Sequence, residues 1–225
     1  MNWIKEIAKI VLKEEIKILE SQIPKKNFYQ EYYNNKYPKT DIFYKRTDKL
    51  GTINIDVRQF LNFNNCLFPK INGENDNEKV INSLIWVIDN IKYIPDKTEY
   101  GLEEYWAYGY ETFNYKKGDC EDGAILLYDI MRANGIPAWK LRINAGLVNN
   151  PLNQKVGHCF VVYYNEETNK WQLLDWCYYP SKLGLEFRDE YKNEANYITT
   201  WFSFNENFSY NKDIKDIPKM ENITN

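Results

Sequence analysis

The chain has 225 residues, a net charge of −3 and aromatic side chains at 16% of its positions, and 19 residues are tyrosine. This length suffices for one substantial domain with an extension. A mildly acidic chain without a basic run lacks the electrostatic footprint of a nucleic-acid-binding protein. No apolar stretch approaches the roughly 20 residues that span a bilayer, and the first residues lack the pattern of a secretory signal. We therefore expect no nucleic-acid or membrane partner, and a cytoplasmic location in the producing cell.

The four cysteines are Cys66, Cys120, Cys159 and Cys177, and no two of them have the close spacing of a CxxC pair. A disulfide framework is therefore not expected. No stretch has the spacing of a zinc motif. One set, Cys120 with His158 and Cys177, stays open as a metal site. The sequence predicts no metal and no organic cofactor.

Hydrophobic periodicity predicts the secondary structure along the chain. Apolar residues recur every three to four positions in amphipathic helices and every second position in half-buried strands. One predicted loop is long for a compact domain, and loops of such length tend to be functional. The predicted elements are, in order, a helix at 2–21, an irregular segment at 22–50, a strand at 53–57, a helix at 80–93, the long loop at 95–119, a helix at 120–134, and strands at about 138–144, 156–164 and 170–178.

These elements divide the chain into three predicted parts. Residues 1–79 form an N-terminal helical and irregular extension packed on the core, residues 80–211 form the core, and residues 212–225 form a polar tail. The helix at 120–134 is apolar nearly all round, so it is expected to be central and buried. We expect an α+β fold in which this helix packs on an antiparallel sheet.

Cys120 is the first candidate for chemistry, because it stands where a loop becomes a helix. The thiolate is the reactive form of cysteine, and the unsatisfied N–H groups at a helix start favour it. Asp119 is a candidate cap for this helix. Glu121 and Asp122 partly oppose thiolate formation, so a nearby imidazolium gains importance. The alternative is a buried structural cysteine.

Gly123 lies inside the same predicted helix. Glycine there costs about 1 kcal/mol relative to alanine. A glycine in a helix interior is typical of a place where another element approaches closely, so we expect a neighbour to pack against Gly123.

His158 is the only histidine of the chain, and Asp175 follows it on the next predicted strand. Suppose that residues 165–168 form a four-residue hairpin loop, a common length. Val162 then pairs with Trp171. By the same register His158 lies directly opposite Asp175, with Cβ atoms about 4.5–5.5 Å apart, and a slip of one residue would separate them. A cysteine nucleophile, a histidine base and an orienting carboxylate are the parts of an acyl-transfer site.

Several motifs, in order, carry a resemblance to a known family. The chain is similar to the transglutaminase-like family of the papain-like cysteine-enzyme superfamily in four motifs that occur in order. They are Gly118-Asp119-Cys120-Glu121-Asp122, Gly135-Ile136-Pro137-Ala138, Gly157-His158 and Leu174-Asp175. The resemblance covers about residues 80–180.

This resemblance implies a papain-like α+β core and a role for each candidate residue. Cys120 would be the nucleophile, His158 the general base and acid, and Asp175 the orienter. The implied reaction is acyl transfer on protein or peptide amides, by a protease, a deamidase or a cross-linker, without a metal or cofactor.

The stretch Glu104-Tyr105-Trp106 and the pair Glu111-Thr112 are similar to a bacteriophage-encoded subgroup of that family. This implies other virion proteins as partners and incorporation in a virion. The alternative function is a virion-associated structural or binding protein that retains the fold. Two departures are Tyr110, where a proline is frequent, and Cys159, where alanine or a larger apolar residue is usual.

The aromatic residues of the 95–119 loop are candidates for substrate binding. The backbone N–H of Cys120 is the expected first donor to an oxyanion. The indole of Trp106 is either a second donor or a stacking anchor of the loop. Trp106 and Tyr108 are predicted to line a substrate groove, because rigid rings bind extended polypeptide with little loss of entropy. A stiff, packed loop without contact to substrate is the alternative.

Overall fold

The computed structural model describes residue 13 and residues 40–48, 51–64 and 66–211. The predicted helix at 2–21, apart from residue 13, and the polar tail at 212–225 lie outside the described residues. Lys39–Asn225 forms one compact unit by its internal contacts. In its described part, an antiparallel sheet packs on a buried helix, which is the predicted α+β arrangement. None of the described helices is long and apolar enough to cross a membrane.

The described ranges contain both strands and helices, and the last α-helix precedes the strands of the main sheet. The strands are β1 (Phe43–Asp48), β2 (Gly51–Asp56), β3 (Lys92–Tyr93), β4 (Lys117–Gly118), β5 (Leu141–Asn149), β6 (Lys155–Asn165), β7 (Lys170–Leu174), β8 (Tyr197–Phe204) and β9 (Ser209–Tyr210). The helices are α1 (Asp76–Asn90), α2 (Asp96–Glu99), α3 (Gly109–Tyr115) and α4 (Cys120–Ala133).

The main sheet has five strands in the order β7-β6-β5-β8-β9, and all neighbours are antiparallel. Strand β7 pairs with β6 only as far as Val161, although β6 begins at Lys155. In the part of the chain that the structure describes, no strand pairs with this edge of β6 from Lys155 to Phe160. The candidate catalytic residues meet beside this open edge.

The hairpin between β6 and β7 differs from its predicted register. Its four-residue loop is residues 166–169 rather than 165–168, and Val162 pairs with Leu173 instead of Trp171. A loop moved by one residue moves the pairing by two, so side chains keep their face but not their partners. Continued past its end at Leu174, the strand would place Asp175 opposite Phe160. Asp175 therefore reaches its partner from beyond the strand end, not from the directly opposed position.

Helix α4 is the centre of the core, as predicted. Every residue from Glu121 to Met131 is buried, including the polar Asp122 and Asp129. The helix begins at Cys120, and Gly135 with φ of +91° follows its end. A glycine after the last turn is a common helix stop, because glycine tolerates the left-handed region.

The sequence-based prediction misplaced some other elements and missed several short ones. The 95–119 segment is not one loop, since it contains α2, α3 and β4. Strand β1 lies in the segment predicted as irregular, and the strand predicted at 138–144 is shifted to Leu141–Asn149 behind a 3₁₀ turn. The strand predicted at 170–178 ends at Leu174. Elements of two to seven residues are too short for a period to show.

Strands β1 and β2 form a hairpin that is attached to the core by Arg46. This side chain is buried, pairs with Glu111 at 3.2 Å and donates to the backbone carbonyl of Trp106 at 3.4 Å. Its guanidinium also lies over the ring of Tyr105. The hairpin is thereby held against the segment that leads into α4. Ile55 and the adjoining Val57 belong to the same hydrophobic core.

Candidate active site

Asp175 and His158 form a buried pair, with Nε2 of the imidazole 2.7 Å from Oδ2 of the carboxylate. Tyr197 donates its hydroxyl to the same Oδ2 at 2.6 Å. The backbone N–H groups of Cys177 and Tyr178 donate to Oδ1 at 2.9 and 3.1 Å. Burial by itself would raise the pKa of Asp175, but the charge and hydrogen bond of His158 and the other donors hold the pKa below its usual value. The carboxylate is therefore ionised and fixed.

The orientation of His158 follows from this pair. Because Asp175 accepts at Nε2, the hydrogen is assigned to Nε2 and the lone pair to Nδ1. Nδ1 is buried and has no hydrogen-bond partner among the described residues. The ring of Tyr178 stacks on the imidazole at 4.0 Å with an angle of 5° between the planes. The imidazole is thus held by Asp175 at Nε2 and by the Tyr178 ring on its face, and Nδ1 is left without a hydrogen-bond partner in the described residues.

Cys120 is the first residue of α4, as predicted, but its surroundings disfavour the thiolate. The sulfur donates to Oε2 of Glu121 at 3.3 Å. Burial raises the pKa of the thiol, and the neighbouring Cys159 and Asp119 add to the rise, whereas the backbone N–H of Cys159 opposes it. Desolvation therefore outweighs the helix start. A direct contact between this sulfur and the imidazole of His158 stays a prediction.

Trp176 fixes the start of α4 beside the sheet edge. Its indole nitrogen donates to the carbonyl of Cys120 at 3.1 Å. Its ring occupies the space where a Cβ of Gly123 would lie, so the predicted close approach at this glycine is confirmed. The absence of a side chain at Gly123 lets Trp176, which follows the end of β7, hold the backbone of Cys120.

Cys120 and His158 open onto one cleft of about 560 Å³. The lining includes polar residues near the thiol and apolar residues from the β1–β2 hairpin and from β8. The cleft is lined by Ile42, Phe43, Tyr44, Val57, Tyr93, Glu104, Trp106, Asp119, Cys120, Glu121, Ala145, Gly157, His158, Cys159, Tyr178, Trp201 and Phe202.

Trp106 reaches this cleft, but its indole N–H is already engaged. It donates to Oε1 of Glu104 at 2.8 Å, and the ring stacks on Tyr44 at 5.2 Å. This geometry favours the stacking anchor over the oxyanion donor. Tyr108 packs against Phe60 at 5.1 Å and is not among the residues that line the cleft.

Four carboxyl groups beside Cys120 form a cluster in which the candidate ligand oxygens lie within 4.8 Å of one another: Asp96, Asp119, Glu121 and Asp122. One oxygen each of Asp96, Asp119 and Glu121 is buried without a hydrogen-bond partner in the described residues. Burial raises the pKa of Asp96 to about 7 and, with neighbouring charges, raises the pKa of Glu121 and Asp122 well above the usual range. Four carboxyl groups this close together repel one another when ionised, so the cluster either keeps protons or binds a cation. Carboxylate oxygens are the ligands that calcium and magnesium prefer.

The sequence left open a metal site made of Cys120, His158 and Cys177. The structure groups His158 and Cys177 with Asp175 instead. Cys177 lies with His158 and Asp175, with ligand atoms within 4.8 Å of one another. His158 and Asp175 are hydrogen-bonded to each other. Burial raises the pKa of the Cys177 thiol well above its usual value, which disfavours the thiolate that a metal requires.

Sequence reasoning missed Tyr197, Tyr178 and the hairpin residues of the cleft. Tyr197 lies 22 residues beyond its partner Asp175 on a strand that was not predicted. In a chain with 19 tyrosines no local signal distinguishes it. Tyr178 follows Asp175 closely, and its stacking depends on a turn that replaced the predicted strand.

Residues 68–176, just under half of the chain, match the model of the transglutaminase-like superfamily. The matched segment contains all three candidate catalytic residues. No curated protein matches the chain at a significant level.

Solved structures with overall similarity include Legionella pneumophila LapG, at 22% identity and a TM-score of 0.46, covering 58% of this chain and 66% of that one. A calcium-bound LapG structure has 22% identity and a TM-score of 0.44, covering 64% of this chain and 83% of that one. A candidate cysteine protease from Cytophaga hutchinsonii has 22% identity and a TM-score of 0.36, covering 56% and 40%. The chain spans just under two thirds of the first LapG structure.

These comparisons give no support to the bacteriophage subgroup, and virion partners stay a prediction. The residues that suggested it have structural contacts here, since Glu104 accepts from the Trp106 indole and Glu111 pairs with Arg46. The helix-on-sheet arrangement confirms the α+β fold predicted from the sequence, and residues 68–176 of this core match the transglutaminase-like superfamily.

Proposed function

We propose that this protein is a cysteine-dependent enzyme that acts on protein or peptide amides by acyl transfer, with Cys120 as nucleophile, His158 as base and Asp175 as orienter. The observation that carries the proposal is the buried imidazole–carboxylate pair at 2.7 Å, in a histidine that lines the same cleft as Cys120 and whose Nδ1 has no hydrogen-bond partner among the described residues. A fixed base with one free nitrogen beside a thiol is the arrangement that nucleophilic catalysis requires.

The first half of the reaction forms a thioester. Rotation of the Cys120 side chain away from Glu121 brings the thiol to Nδ1 of His158, which takes its proton. The sulfur attacks the amide carbonyl carbon, and the π electrons move to oxygen. The backbone N–H of Cys120, without an intrahelical partner at the start of α4, is placed to stabilise that oxyanion. The oxyanion then collapses, the C–N bond breaks, and the amine leaves with the proton from the imidazolium.

The second half restores the thiol. A water or an amine loses its proton to His158 and attacks the thioester carbonyl, and the sulfur leaves and regains the proton. Water as acceptor makes the protein a protease or deamidase, and an amine makes it a cross-linker. Throughout, Asp175 stabilises the imidazolium while staying ionised, consistent with its lowered pKa.

We also propose that the acidic cluster beside Cys120 binds a divalent cation with a preference for oxygen ligands, such as calcium. Asp96, Asp119 and Glu121 supply three buried oxygens without hydrogen-bond partners. A cation there would supply positive charge close to the thiol, which favours the thiolate. Coordination of the cation by Glu121 would also weaken the hydrogen bond that this carboxylate accepts from the Cys120 thiol.

Labelling with a peptidyl chloromethyl ketone, followed by mass spectrometry of the intact protein and its peptides, tests the enzymatic proposal. We expect one adduct, on Cys120, and none on the Cys120→Ala variant. Cys177→Ala is the matched control, because that thiol also lies near His158 and is, like Cys120, partly buried. Adducts spread over several cysteines, or an adduct that persists in Cys120→Ala, would refute the assignment of the nucleophile.

A further inference from the structure

Strand β8 contains a β-bulge beside the cleft. Ala145 of β5 pairs with Phe202 and the next residue, Gly146, pairs with Thr200, so Trp201 has no residue opposite it. A Cβ on Gly146 would collide with a backbone carbonyl of β8, so the glycine is required at this place. Bulges redirect a side chain and occur frequently beside active sites.

The bulge places Trp201 over the residue that precedes the catalytic histidine. A Cβ on Gly157 would lie 3.2 Å from the Trp201 ring. Trp201 nevertheless keeps 51% of its surface exposed, although it is the largest apolar side chain type. Gly157 adds no side chain of its own, so the space beside the ring stays open next to His158.

A second exposed aromatic residue lines the same cleft from the β1–β2 hairpin. Phe43 is 60% exposed. Other lining residues from the hairpin and from the main sheet are apolar, including Ile42, Val57 and Phe202. An apolar surface of this kind, continuous with the nucleophile, is suited to an apolar group of the substrate.

We propose that Trp201 and Phe43 form a subsite for a large apolar side chain, such as leucine or phenylalanine, of a polypeptide acyl donor. This inference rests on the proposed function and names its substrate class. A polypeptide fits better than a small amide, because the edge of β6 beside Gly157 is not paired with another strand in the described ranges, and an extended chain can add to an unpaired strand edge through backbone hydrogen bonds. A side chain of the donor then enters between the two rings while its carbonyl meets Cys120.

The test uses two peptidyl chloromethyl ketones that differ only in one residue, leucine or alanine, together with iodoacetamide as a probe without a peptide. The leucine probe should label Cys120 of the unaltered protein about tenfold faster than the alanine probe, the discrimination expected from added methyl and methylene groups in an apolar pocket. Trp201→Ala and, independently, Phe43→Ala should abolish most of that difference. Phe187→Ala, an aromatic residue exposed at 70% outside the cleft, is the matched control.

The outcomes separate the subsite from the proposed function. Equal labelling by both peptidyl probes, with iodoacetamide still selective for Cys120, overturns the subsite and leaves the thiol chemistry standing. Failure of every probe to label Cys120 refutes both. Discrimination that persists in both variants while a dimer dissociates on gel filtration would assign the surface to self-association and likewise overturn the subsite.

Discussion

Asp175 engages the Nε2 side of His158 at 2.7 Å, while Nδ1 on the other side of the ring is buried and has no partner among the described residues. An imidazole held in this way keeps the tautomer that accepts a proton from the thiol. Asp175→Asn should therefore lower kcat/KM by about 10³- to 10⁴-fold, as loss of the orienting carboxylate does in serine triads. Steady-state kinetics on a peptide amide, with circular dichroism to verify folding, provides the measurement.

Tyr197→Phe is the graded control for that prediction, because it removes one of four donors to Asp175 and keeps the ring. Its loss of activity should be far smaller. Equal losses in the two variants would contradict the orienting role and indicate that the whole network is only structural.

Gly123 is predicted to be intolerant of a side chain. In an unobstructed helix, a change from glycine to alanine stabilises by about 1 kcal/mol. Here the new Cβ would overlap the Trp176 ring, so Gly123→Ala should instead destabilise by about 1–3 kcal/mol, the usual cost of overpacking. Urea denaturation gives the free energy of unfolding, and a gain in stability would contradict the packing of Trp176 on α4.

Asp129 predicts a pH dependence of stability. Burial raises the pKa of this carboxyl well above its ordinary value, and one oxygen has no hydrogen-bond partner in the described residues. Its protonation in the folded state stabilises the protein fully below the unfolded pKa of about 3.9. That stabilisation is lost at about 1.4 kcal/mol per pH unit as the pH rises towards the folded pKa.

Asp129→Asn lacks this titration. The variant should gain stability relative to the unaltered protein as the pH rises from 4.5 to 8, as measured by urea denaturation at several pH values. Asp89→Asn, on the exposed face of α1, is the control. Parallel pH profiles for Asp129→Asn and the unaltered protein would show that the buried carboxyl is not protonated.

The acidic cluster predicts stabilisation by calcium. A cation that binds only the folded state at 100 times its Kd stabilises by about 2.7 kcal/mol. Binding should tighten as the pH rises through about 7, where Asp96 loses its proton. Thermal unfolding with calcium and with EGTA measures the effect, and Asp96→Asn should reduce it. An unchanged melting temperature at millimolar calcium would exclude the cation and leave a cluster that holds protons.

How far the sequence predicted this site depends on which interactions are local. Cys120 at a helix start, and the buried faces of α4, follow from periodicity and helix signals that lie within a few residues. Asp175 was assigned to the correct face of the hairpin, but from a register wrong by two residues, since loop position within a polar stretch has no strong signal. Its contact with His158 depends on the turn after β7.

The remaining parts of the site depend on contacts distant in sequence. Arg46 holds the hairpin at Glu111, and Tyr197 reaches Asp175 from the far strand β8. The raised pKa of the Cys120 thiol was not predicted either, because desolvation depends on how completely the helix start is covered. These contacts join residues that are far apart in the sequence, and the local pattern of residue types does not indicate which of them meet.

The most direct test of the central claim compares the rate at which iodoacetamide alkylates Cys120 at neutral pH in the unaltered protein and in His158→Gln. If His158 is the base, the unaltered protein should be labelled selectively at Cys120, ahead of Cys66, Cys159 and Cys177. His158→Gln should slow that labelling by about a hundredfold, the lower range for a positioned general base, while retaining the melting temperature. Equal rates in the two proteins would contradict a thiol–imidazole pair at this site.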